Sequence, residues 1–183
     1  MFSRFFAVLI LLILLPFLVF ISILIYIEDG YPIFYKQKRV GINNTLFNIY
    51  KFRSMKKGTP NIATHLLDNP DAYILRIGYI LRKSSIDELP NLLNIVKGDM
   101  AFIGPRPALY NQFDLIELRH SVGVSKIKPG VTGWAQVNGR DDITTELKVQ
   151  FDKEYLRRRS FFFDIKIIIF TLIRVMFAKG VRH

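Results

Sequence analysis

Cysteine is absent from the 183-residue chain, which excludes disulfides, thiolate nucleophiles and zinc sites built on sulfur. Histidine is scarce, with three scattered residues, so an imidazole-rich metal centre has no basis. Acidic side chains are few beside basic ones, 15 against 26, and the formal net charge is +11. Charged residues of both signs make up 22% of the chain against 50% hydrophobic, a balance that excludes a solvated, disordered polymer. No glycine segment fits the P-loop or dinucleotide fingerprint, and no internal repeat or low-complexity tract occurs. At roughly 100–200 residues per domain, the length allows one domain and a short accessory segment.

What is present begins with an apolar run. Phe5 to Ile27 is 23 residues without a charge, interrupted only by Pro16 and Ser22. As a helix it reaches about 35 Å, enough to cross a bilayer core. The run is too long for a signal-peptide core and no A-x-A-like site follows, so it is expected to stay as an anchor. Pro16 removes a backbone donor near its middle, predicting a kink or break there. Two outcomes are open: a kinked single span, and a re-entrant hairpin that enters and leaves on one face. Lys36, Lys38, Arg39, Lys51, Arg53, Lys56 and Lys57 follow the run, against Arg4 before it, which places the bulk of the chain on the cytoplasmic side. No second long uncharged run occurs, which disfavours a multi-pass channel.

Beyond the run, Ile33-Phe34-Tyr35 and Thr45 to Tyr50 are β-prone and flank Gly41-Ile42-Asn43-Asn44, a hairpin turn pattern. A loop over 58–72 leads to a helix near 71–82. A second helix is predicted from Asp87, with Pro90 in its first turn and Lys97-Gly98 closing it. A short strand, Met100 to Ile103, precedes Gly104-Pro105-Arg106-Pro107, where two prolines hold one arginine. Residues 126–140 combine a Pro-Gly turn with further glycines and the only Trp. A helix near 144–157 runs into Phe161–Phe177, whose spaced charges suit a helix lying in the membrane interface. Residues 153–183 carry eight Lys/Arg and two Asp/Glu, a local excess of +6 that suits an anionic leaflet.

Without cysteine and with little histidine, chemistry falls to carboxylates and hydroxyls with Lys and Arg as partners. Asp87-Glu88 is the pair of interest. An aspartate at a helix start is kept ionised by unpaired backbone donors, and a neighbouring glutamate offers hard oxygens to Mg²⁺. The same position suits an ordinary N-cap, and both readings stand on spacing alone. Arg106, Lys51, Arg53 and Arg82 match phosphate recognition, against a reading as solvated surface cations. No nucleic-acid motif is present.

In order along the chain, Gln37-Lys38-Arg39-Val40-Gly41, Tyr50 to Met55, Ser85-Ile86-Asp87-Glu88-Leu89-Pro90, Lys97 to Met100, Gly104 to Pro107 and Lys128 to Arg140 resemble the bacterial sugar transferases, also called monotopic phosphoglycosyl transferases. The resemblance covers nearly the whole chain. It implies an α+β fold: a re-entrant membrane helix-break-helix over 1–28, broken at Pro16, and a mainly helical catalytic domain over 29–183 with short strands and interfacial amphipathic helices. The form is expected to be the minimal catalytic one, on the cytoplasmic face of the bacterial inner membrane. The implied reaction moves a sugar-1-phosphate from a UDP-sugar to polyprenyl phosphate with release of UMP, the first membrane step of glycan assembly. The resemblance makes Asp87 the nucleophile of a phosphosugar-aspartyl intermediate, Glu88 the Mg²⁺ ligand and Arg106 part of the nucleotide-sugar site. Asn138, Arg140 and Asp152 match positions in or near that site. The competing expectation is a non-catalytic, membrane-anchored basic scaffold.

Overall fold

The computed structural model describes residues 2–60, 68–139 and 143–176. Among the described residues most are helical, with four short strands in two pairs, so the fold mixes helix and strand as expected.

The apolar run forms one helix, α1 (Phe2–Asp29), with Pro16 inside it. The helix-break-helix expected at Pro16 is therefore replaced by one element. Packing supplies the reason. Ala7, Ile10, Leu11 and Leu14 meet Ile49, Leu92, Ile95 and Met100, while Leu18, Ile21, Leu24 and Ile25 meet Phe52, Leu75 and Leu81. These positions recur at helical spacing, so burial on both sides of the proline rewards an unbroken register. The opposite side stays open, with Leu12, Ile13, Leu15, Val19, Phe20 and Ile23 exposed. Within the described residues it is the one helix long and apolar enough to cross a membrane.

Both ends of α1 rest on the rest of the chain. At its start the Arg4 guanidinium lies over Gly98. At its end Arg53 donates to the Asp29 carboxylate at 2.5 Å and to the Asp29 and Gly30 carbonyls at 3.0 and 2.6 Å, satisfying terminal acceptors. The Glu28 carboxylate accepts from the Arg76 and Ile77 amides at 2.6 and 3.1 Å. An anion at a helix start is favourable there.

The hairpin forms as expected, with longer strands: β1 (Phe34–Val40) runs antiparallel to β2 (Leu46–Phe52). Asn43 and Asn44 adopt left-handed φ of 51° and 59° in its turn, a conformation asparagine tolerates. The helix expected near 71–82 is split into α2 (Pro70–Tyr73) and α3 (Arg76–Ser84). Ile74 bridges Met55 and the Leu75 amide donates to the Ser54 carbonyl at 3.0 Å, so tertiary pairing interrupts it. Residues 61–67 of the expected loop lie outside the described residues.

The helix predicted from Asp87 is a 3₁₀ turn, Ile86–Asn91, followed by α4 (Leu92–Lys97). Gly98 closes it with φ +92°. β3 (Ala101–Ile103) pairs in parallel with β4 (Gly130–Thr132), so the Pro-Gly segment enters a strand and then α6 (Trp134–Asn138). Between them lies α5 (Phe113–Ser121). Helix α7 (Thr145–Arg158) starts where the Thr144 hydroxyl accepts from the Leu147 amide, and α8 (Phe161–Met176) follows. Trp134, Val137, Tyr155, Phe163 and Ile167 form the core joining these last helices.

Candidate active site at the Asp87-Glu88 turn

Three local features bring cations onto one pair of carboxylates. Strand β2 carries Lys51. Helix α3 carries Arg82 in its last turn and ends at Ser85, whose φ of +57° swings the chain into the 3₁₀ turn. The turn sets Asp87 and Glu88 side by side, each with 13% side-chain exposure. Lys51 Nζ donates to Glu88 Oε1 at 2.7 Å and stands 3.9 Å from Asp87 Oδ2. Arg106 Nη2 donates to the same Glu88 oxygen at 3.0 Å. Asp87 lies inside the first turn and Ser85 holds the N-cap position, so of the two readings of this position the cap falls away.

The two carboxyls are driven apart. Burial pushes Asp87 above the usual carboxylate range, and the neighbouring Glu88 charge adds to this, against the pull of Lys51, Arg82 and Arg106. For Glu88 burial acts in the same upward direction, yet the Arg106 and Lys51 charges and hydrogen bonds outweigh it and hold the group well below its ordinary value. Glu88 is a fixed anion already matched by cations. Asp87 is a poorly compensated one, and burial raises it where backbone donors were expected to keep it ionised.

Arg106 is held by its backbone. Gly104 N–H donates to the Thr132 carbonyl at 2.9 Å and Gly130 N–H to the Pro105 carbonyl at 3.0 Å. A side chain on Gly130 would come within 2.1 Å of the Gly104 nitrogen, so glycine is required by close approach. On the other side of the loop, Arg119 Nη1 donates to the Arg106 carbonyl at 2.8 Å and pairs with buried Asp152 at 2.6 Å. Burial raises the Asp152 carboxyl while the Arg119 charge opposes this.

Lys51, Arg82, Asp87, Glu88 and Arg106 thus come together, and Asp152 stands behind them, acting on the Arg106 loop through Arg119. Arg53 does not join them, because its guanidinium is taken up by the end of α1. Exposed Asn138 donates back to the Trp134 carbonyl at 2.8 Å within its own helix. Arg140 lies outside the described residues. Two arginines escaped sequence reasoning. Arg39 lines the cleft with Lys51, Glu88 and Arg106, and donates to the Pro107 carbonyl at 3.0 Å. Period-2 alternation in β1 put Arg39 and Gln37 on the less exposed face, a usable signal. Arg119 follows Leu115 by four residues on the buried stripe of α5, where a charge needs a partner.

The donor set fits Mg²⁺. Among the described residues no group of three or more acidic or histidine side chains forms a protein cage. Asp87 and Glu88 nevertheless offer hard oxygens, and both cations on Glu88 converge on Oε1, leaving Oε2 outside that pair. Magnesium is commonly held by one or two carboxylates together with substrate phosphates.

The bacterial sugar transferase family model matches residues 1–178. An uncharacterized sugar transferase, EpsL of Bacillus subtilis (strain 168), is 39% identical over 157 residues, covering 86% of this chain and 76% of that protein. The undecaprenyl-phosphate glucose phosphotransferase of Komagataeibacter xylinus is 38% identical over 187 residues, 95% of this chain but 35% of its own length. The UDP-glucose:undecaprenyl-phosphate glucose-1-phosphate transferase of Escherichia coli (strain K12) is 39% identical over 95% of this chain and 39% of its own length. The chain thus spans little more than a third of those two longer relatives. By the extent of the family match and the identity to EpsL, the chain belongs to the bacterial sugar transferases.

Proposed function

We propose that the protein is a membrane-bound phosphoglycosyl transferase that moves a sugar-1-phosphate from a UDP-sugar to a polyprenyl phosphate and releases UMP. The observation that carries this reading is the pair of half-buried carboxylates facing Lys51, Arg82 and Arg106, three cations around two anions. A diphosphate entering that field is attracted and oriented. An Asp87 oxygen attacks the phosphorus that bears the sugar, and the bond from that phosphorus to the UMP oxygen breaks. UMP leaves with the bonding electrons, and an acyl phosphate to the sugar remains on Asp87. A polyprenyl phosphate oxygen then attacks the same phosphorus, forming the lipid diphosphate sugar and freeing the carboxylate. Lys51 and Arg106 offset negative charge as it moves onto the leaving phosphate. Glu88, with Asp87 beside it, would hold Mg²⁺, whose chemistry is to neutralise phosphate oxygens.

The same reading puts the chain on one face of the bacterial inner membrane, the cytoplasmic one by its basic residues. Two observations on α1 support this. Its outward side is apolar, and its two ends, at Arg4 and at Glu28-Asp29, rest on the same globular body. A helix that crosses a bilayer puts its ends on opposite faces, where a single globular body does not reach both.

The test is incubation of the purified chain with Mg²⁺, polyprenyl phosphate and a panel of UDP-sugars, reading UMP. The wild type is expected to release UMP and, without acceptor, to carry a sugar-phosphate adduct on Asp87. Undiminished turnover of Asp87→Asn would remove the assigned nucleophile.

A further inference from the structure

A second, apolar cleft adjoins the carboxylates. Its volume is about 180 Å³, and Leu89, Leu92, Phe102, Val131, Val137 and Val175 form its apolar wall. Glu88 belongs to this wall and also to the polar cleft that holds Arg39, Lys51 and Arg106. The charged centre therefore stands between a polar cleft and an apolar one. Helix α8 roofs the apolar side. Its Phe163, Ile167, Thr171 and Arg174 recur at helical spacing. Phe163 and Ile167 are buried in the core, while Thr171 and Arg174 line the cleft. On α8's outward side Ile165, Ile168, Ile169, Leu172 and Ile173 are exposed.

Resting on the reading above, we propose that this cleft receives the head end of the acceptor lipid: the first isoprene unit lies against the apolar wall and Arg174 faces the phosphate. Size agrees, since a cavity of ~150 Å³ lined by apolar side chains takes up a benzene ring, close in carbon count to one isoprene unit. Charge agrees as well. Among the described residues no carboxylate pairs with Arg174, while the one acid on the wall, Glu88, is matched by Lys51 and Arg106. Placement is the third argument. A helix with an outward apolar side lies in the interface, so a cleft beneath it is reached laterally by a membrane lipid without crossing water. The nucleotide-sugar then occupies the opposite, cationic side of Glu88, and the acceptor phosphate reaches the sugar-phosphate adduct from the apolar side once UMP has left.

The experiment uses the full chain in detergent or nanodiscs. Val175→Trp, which fills the cleft from a partly exposed position, and Arg174→Gln are each expected to raise the KM for polyprenyl phosphate at least tenfold while moving the KM for UDP-sugar less than twofold. Ile169→Trp, on the outward side of the same helix, is expected to stay within about twofold of wild type for both. Independently, a farnesyl phosphate carrying a diazirine on its first isoprene unit is expected to label peptides spanning residues 131–137 and 171–175 of the wild type. Active wild type with an unchanged acceptor KM in both variants, or labelling confined to other peptides, overturns the inference. Wild type that releases no UMP with any UDP-sugar overturns the transferase reading instead, and the labelling result then stands alone as the measure of the cleft.

Discussion

Asp87 and Glu88 are adjacent, share a turn and are equally covered, yet their protons behave in opposite ways because Glu88 takes the close contacts from both Lys51 and Arg106. A carboxyl whose folded pKa is raised is disfavoured as an anion in the native state, so at neutral pH its charge opposes folding. Asp87→Asn is therefore expected to abolish turnover while leaving Tm at or above that of wild type, as read by a thermal melt. A clear loss of Tm would show that the Asp87 charge stabilises the fold. The same carboxyl sets the acid limb of the rate profile, since attack needs the ionised form. Lys51 pulls Asp87 down. In Lys51→Gln the carboxyl rises further, and the acid limb of kcat/KM is expected to move to higher pH. A limb that stays in place or moves to lower pH would separate Lys51 from the nucleophile.

Among the elements, the parallel pair β3 and β4 does the positioning. It is only three residues on each side, yet it holds the Arg106 loop through Gly104 and Gly130. Gly130→Ala drives a methyl into the Gly104 backbone. Overpacking of this kind costs about 1–3 kcal/mol. The expected result is a lower Tm together with a raised KM for UDP-sugar, because the strain lands on the segment that carries Arg106. A Tm loss with unchanged KM would show that the strand pair stabilises the fold without positioning the arginine. Much at this scale was legible beforehand. Alternating β-prone residues around Gly41 to Asn44 announced the hairpin, and Lys97-Gly98 marked the end of α4. The split of the helix near 71–82 was not legible, since it depends on Ile74 and Leu75 pairing with Met55 and Ser54 about twenty residues earlier.

For the molecule as a whole, sidedness is the main prediction. Cysteines introduced as Ser3→Cys and Lys126→Cys are expected to react with an impermeant maleimide from the same face of sealed vesicles. Labelling from opposite faces would make α1 a crossing helix. The net charge of +11 and the open apolar sides of α1 and α8 argue further that binding to vesicles strengthens with anionic lipid.

Properties carried by neighbouring residues could be read directly from the chain: the long uncharged run, turn and cap signals, the two prolines around Arg106 and the ordered motifs of the family. They depend on local chemistry, and local chemistry is written in order along the chain. Which cation meets which acid was decided by packing. Lys51 and Glu88 are 37 residues apart, Arg119 and Asp152 are 33 apart, and Arg53 and Asp29 are 24 apart. On composition these arginines and lysines are interchangeable surface charges. Only the fold gives Arg53 to a helix end and Arg106 to a reactive centre, because a buried charge takes the partner that geometry places within hydrogen-bond reach.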